Sequence, residues 1–124
     1  MNEPEAPILD QSVLADLGAS VNDDRAFVVE LIEAFLSDGA QQVTAIDAAH
    51  AADDAEALVR PAHTLKSSSA TVGAMRLSAT ARELEMAGRS GALDEATHAG
   101  VARLRADWDA STEALRTWVS GGER

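Results

Sequence analysis

Apolar residues recur at intervals of three and four along nearly the whole chain, the spacing of one face of an α-helix. Five helical stretches follow from it. The first is short, from Asp10 to Gly18, with Leu14 and Leu17 apolar and Gly18 as its stop. The second opens on Asp23 or Asp24 as N-cap and runs to Ala51, with Phe27, Leu31, Phe35, Val43 and Ile46 at helical spacing. Gly39 lies inside it at a cost in helix stability, which predicts close packing or a local irregularity there. The third is capped at Asp53-Asp54 and reaches Val72, burying Leu58, Ala62, Leu65, Ser69 and Val72. Pro61 removes one backbone donor within it and predicts a bend one turn before His63. The fourth runs from Met75 to Gly88 with Leu77, Ala81 and Leu84 inward, and Gly91 closes the turn that follows. The fifth extends from Asp94 to Ser120, where Val101, Leu104, Trp108, Ser111, Leu115 and Trp118 alternate three-four spacing as a bundle seam.

Long amphipathic helices joined by short loops pack most simply as an up-down-up-down four-helix bundle, here with the first short helix covering one end. The expected fold class is therefore all-α. Composition agrees: tyrosine is absent and alanine abundant, a helix-forming choice poor in what strands prefer. A chain of 124 residues with 46% hydrophobic and 25% charged content builds one globular core. The bundle is expected over residues 8–120, with residues 1–7 and 121–124 as flexible ends. There is no cysteine, so disulfides, thiolate nucleophiles and cysteine-based zinc sites are excluded.

Charge changes the picture in one place. The net charge is −11, which argues against nucleic acid or an anionic membrane surface as a partner. Residues 1–56 carry a net −12 and residues 83–124 a net −3, but residues 57–82 hold Arg60, Lys66, Arg76 and Arg82 with no acid. The chain's only lysine, Lys66, stands three residues after His63, so the two share a helix face inside this acid-free stretch. Such a place suits a small anion. The N-terminal segment lacks the basic start and apolar run of a secretory signal, and no stretch approaches eighteen uninterrupted apolar residues; a cytoplasmic protein is expected.

With Leu58, Ala62, Leu65, Ser69 and Val72 inward, His63 turns to the rim of that stripe or outside it. Arg60, Lys66, Ser67 and Ala70 share its face, and Thr64 is its short neighbour. An imidazole, with an ordinary pKa of about 6.5, is largely neutral at pH 7 and leaves a ring nitrogen free to attack phosphorus. Lys66 can hold phosphoryl oxygens by charge-assisted hydrogen bonds, and Ser67 can donate another. Nothing on this face reads as a general base or an oxyanion cradle, so the site could receive a phosphoryl group but something else must activate it.

The run Ala62-His63-Thr64-Leu65-Lys66-Ser67-Ser68-Ser69-Ala70, followed by Val72-Gly73-Ala74, Leu77 and Leu84-Glu85, resembles the histidine phosphotransfer (HPt) domain. Leu9-Asp10, Leu14 and Leu17 resemble that family's first helix and Phe27 to Phe35 the start of its second, so the resemblance spans roughly residues 8–118. It implies that His63 is the phospho-acceptor of a multistep phosphorelay and that Lys66 is the lysine of the motif. It implies too that the phosphoryl group comes from the aspartate of one receiver domain and leaves for that of another. The receivers, in response regulators or hybrid histidine kinases, bring the Mg2+ and most catalytic groups. No cofactor or metal is expected in this chain, and a monomer is. The family often has glycine where this chain has Ser67, whose side chain can hydrogen-bond phosphate or narrow the range of receivers. Arg60, Thr64 and Ala70 are expected to line the docking surface.

Other functions are weaker. A self-phosphorylating kinase is excluded by the lack of a glycine-rich nucleotide loop or of room for an ATP-binding domain. A docking module that binds a receiver or kinase and never carries phosphate is the alternative. His50 is expected to cap the second helix, where the helix end favours a cation. Asp47 and His50, and Glu95 and His98, have the i, i+3 spacing of di-iron bundles, but they sit at helix ends and do not converge mid-bundle.

Overall fold

Four aspartates start four of the five helices. Asp10 accepts the backbone N–H of Ser12 at 3.0 Å and opens α1, Gln11–Ser20. Asp24 accepts that of Phe27 at 3.2 Å before α2, Arg25–Ala51, and Asp54 that of Ala57 at 3.0 Å before α3, Ala55–Thr71. Asp94 and Thr97 form a reciprocal capping box before α5, Glu95–Val119. Each cap satisfies donors that the first helical turn leaves orphaned. Helix α4, Met75–Ser90, starts without a side-chain cap and ends at Gly91, whose φ of 82° suits glycine. The computed structural model describes residues 5–91 and 93–121.

The protein is all-α, a four-helix bundle with a short helix added at the N-terminus. Helices α2, α3, α4 and α5 each pack on the next, and α5 returns to α2, while α1 packs on α2. Helix α3 buries Leu58, Ala62, Leu65 and Ser69, with Val72 buried at its C-cap; α4 buries Leu77, Ala81 and Leu84. On α5 Val101, Leu104, Trp108, Ser111 and Leu115 are buried and Trp118 is half-buried. These are the stripes the spacing predicts. The helix continues through Pro61, whose side chain is buried.

Helix α2 differs by one register. Its core residues are Val28, Ile32, Phe35, Gly39, Val43 and Ile46, whereas Phe27 is 40% exposed and Leu31 only half-buried. The sequence offers apolar residues at both 27–28 and 31–32, so spacing alone does not choose between them. Trp108 of α5 does. A Cβ at Gly39 would lie 2.6 Å from its ring, so the tryptophan lies on bare backbone and fixes the rotation of α2. The interior glycine marks close packing.

Of the ends expected to be flexible, residues 1–4 and 122–124 lie outside the described residues. Glu5, Ala6 and Pro7 meet Arg76: its backbone N–H donates to Pro7 O at 2.9 Å and its Nε to Ala6 O at 2.8 Å, with Glu5 paired to the guanidinium.

Candidate functional site

Helices α3 and α4 approach closely, for two local reasons. Ser78 Oγ donates to the backbone carbonyl of Lys66 at 2.8 Å, tying the start of α4 to α3. At the other end Gly88 faces Ala55 and Val59. A Cβ there would come within 2.8 Å of the Ala55 carbonyl oxygen, so only glycine lets the backbones meet. Between these two contacts, side chains of one helix reach those of the other.

His63 lies on the outward rim of α3, with 55% of its side chain exposed. Its Nδ1 is 2.9 Å from Glu85 Oε2 of α4. Glu85 is buried, its side chain 7% exposed, and accepts two further partners: Lys66 Nζ on Oε1 at 2.7 Å, and Arg89 on Oε2 through Nε at 3.1 Å and Nη2 at 2.7 Å. The Lys66 ammonium and then the Arg89 guanidinium hold the Glu85 carboxyl down at about 2, against the opposing effect of burial. It is therefore ionised at neutral pH and accepts a hydrogen bond, so Nδ1 of His63 carries the ring proton. Nε2 has no partner among the described residues and, in the neutral ring, is the nitrogen that carries the lone pair. The arrangement thus offers a nucleophilic nitrogen to solvent on a ring fixed in one tautomer, with an ammonium beside it.

Lys66 is 30% exposed and paired, where the sequence placed its ammonium at the surface. Arg60, Thr64 and Ser67 are exposed on α3 around His63, and Ala70 is half-buried. A cleft of 630 Å3 lined by Glu56, Val59, Arg60, Gly88, Arg89 and Gly91 opens between α3 and α4 beside them. A cleft of the same volume between α2 and α5, around Trp108, contains none of these residues.

Sequence reasoning missed Glu85 and Arg89 as parts of the site. The signal was present: Ala81, Leu84, Glu85 and Gly88 share one face, so an acid stands in an inward stripe, and Arg89 follows it by four residues. The remaining histidines meet each other. His50 Nε2 and His98 Nδ1 are 2.6 Å apart across α2 and α5, and no group of three or more potential metal ligands surrounds them among the described residues.

The model of the Hpt domain matches residues 30–118. That is well over half of the chain. The chain belongs to the Hpt domain family. It is also similar to the crystal structure of histidine-containing phosphotransfer protein B (HptB) from Pseudomonas aeruginosa PAO1, with a TM-score of 0.83 and 28% identity over 94% of this chain and 98% of that one. No curated protein sequence matches it. As an Hpt domain the chain is a histidine phosphotransfer protein of phosphorelay signalling, a phosphoryl carrier rather than a kinase. Hpt proteins interact with receiver domains and carry no cofactor of their own. Among the described residues no helix is long and apolar enough to cross a membrane.

Proposed function

We propose that His63 accepts a phosphoryl group from the phosphorylated aspartate of one receiver domain and passes it to the aspartate of another. The observation that carries this reading is the pairing of an exposed ring with a buried carboxylate: Glu85 holds Nδ1–H, so Nε2 faces outward as the nucleophile. In the forward step the Nε2 lone pair forms a bond to phosphorus while the bond from phosphorus to the aspartyl oxygen breaks and the carboxylate leaves. Positive charge develops on the ring and is stabilised through Nδ1–H by Glu85, in the manner of a histidine oriented by an acid. Delivery to the second receiver is the reverse. Lys66 neutralises the phosphoryl oxygens and Ser67 stands close enough along the helix to donate to them.

The magnesium belongs to the partner receiver. Arg60, Thr64 and Ala70 line the surface it docks on, where short or exposed side chains let its aspartate approach His63. The working compartment is the cytoplasm. The test is to mix the protein with a phosphorylated receiver from the same organism and magnesium, with His63→Gln alongside. Label on wild type alone, labile to acid and stable to alkali, is expected. Receiver binding without any transfer would instead make the protein a docking module.

A further inference from the structure

One buried carboxylate serves three donors at this site, and they divide its oxygens unequally. Lys66 Nζ is on Oε1 at 2.7 Å. Oε2 takes His63 Nδ1 at 2.9 Å together with Nε and Nη2 of Arg89 at 3.1 and 2.7 Å. If His63 carries a phosphoryl group, Lys66 is needed twice, on the carboxylate and on the phosphoryl oxygens. An ammonium is a compact point charge on a flexible stem and can follow a moving anion; a guanidinium is a planar fork suited to staying in place. Arg89 also lies four residues from Glu85 on α4, so its contact with Oε2 does not depend on α3 or on Lys66.

The charge balance leads to the same division. A carboxylate 7% exposed has little water to replace a departing cation, so it needs a permanent one. Two cations face this single acid, which leaves an excess of one positive charge beside His63 before the phosphoryl dianion arrives. Without Arg89 that excess is gone, and among the described residues Lys66 is the one lysine or arginine left on Glu85. We propose that Arg89 is a positioning residue: it is the standing counter-ion of Glu85 and frees Lys66 to follow the phosphoryl group onto and off His63. The inference rests on the phosphotransfer reading above. It assigns Arg89 no contact with the reacting atoms.

Phosphoramidate tests it without a receiver: its P–N bond breaks as Nε2 bonds to phosphorus, and ammonia leaves. Labelling rates are compared for Arg89→Ala and Arg89→Lys, each in the wild-type and the Glu85→Gln background, with circular dichroism confirming the fold. Arg89→Ala is expected to slow labelling roughly tenfold, the scale of one charge-assisted contact, while Arg89→Lys recovers part of the rate. In the Glu85→Gln background the same change should alter the rate less than about twofold, because the carboxylate that detains Lys66 is no longer there. That coupling is what a guanidinium acting only on stability, or only attracting anions, does not produce.

Equal slowing in both backgrounds, or an Arg89→Ala protein that labels at the wild-type rate, overturns the role of Arg89 and leaves the phosphotransfer reading standing. A folded wild type that takes label neither from phosphoramidate nor from a phosphorylated receiver overturns both.

Discussion

A carboxylate placed inside a helical bundle has to be compensated, and Glu85 is compensated by the residues the site uses. The four side chains His63, Lys66, Glu85 and Arg89 therefore act as one unit, and substitutions among them should be strongly non-additive. Glu85→Gln keeps an oxygen that can accept from Nδ1 but removes the charge that stabilises the ring as it attacks. Transfer from a phosphorylated receiver should slow roughly tenfold, for a charge-assisted bond worth about 1.5 kcal/mol or more, measurable as the single-turnover rate. Lys66→Ala has two effects, because the ammonium is paired to a buried acid. It should slow transfer and also lower stability by roughly 1–3 kcal/mol, the range for leaving a buried polar group short of a partner, as read by urea unfolding. His63→Gln, at an exposed ring, should abolish labelling while changing stability by less than about 1 kcal/mol.

At the scale of the helix, the site depends on how α3 and α4 are placed more than on which residues they carry. Gly88 allows the two backbones to touch, and the Ala55 carbonyl that a Cβ would strike cannot turn aside as a side chain does. Gly88→Val should force the helices apart, with a loss of about 1–3 kcal/mol for overpacking. The Glu85–His63 contact should lengthen with it, so transfer should fall in a protein that remains helical by circular dichroism. Asp54 caps the helix that bears His63, and Asp54→Ala should cost about 1 kcal/mol in a urea titration. As that cap lies more than two turns from His63, the transfer rate under folding conditions should hardly change.

For the molecule as a whole, the lowered pKa of Glu85 makes stability depend on pH. Its carboxyl, about 4.5 in ordinary surroundings, is held at about 2 in the fold. A folded-state value below the unfolded one means that the unfolded chain binds the proton more readily. The contribution is thus fully present above about pH 4.5 and is lost as pH falls toward about 2. Unfolding by urea, followed at pH 6 and again at pH 3, should show wild type losing more stability over that interval than Glu85→Gln does. A difference of the opposite sign would mean that the fold raises the Glu85 carboxyl above its ordinary value instead of lowering it.

What the sequence determined by itself was everything that depends on local spacing and local chemistry. The alternation of three and four predicted five helices, aspartates marked where four of them start, and the buried stripes of α3, α4 and α5 followed from which positions are apolar. His63 with Lys66 in an acid-free stretch identified the candidate site, since both residues lie on one turn of one helix. Spacing could not choose the register of α2, where adjacent positions are equally apolar and the decision rests with Trp108 lying on Gly39. Nor could it find the pairing of His63 with Glu85, 22 residues away, or the sharing of that carboxylate with Lys66 of the neighbouring helix. These belong to the tertiary structure, because a contact between two helices depends on their separation and relative rotation, which no single helix encodes.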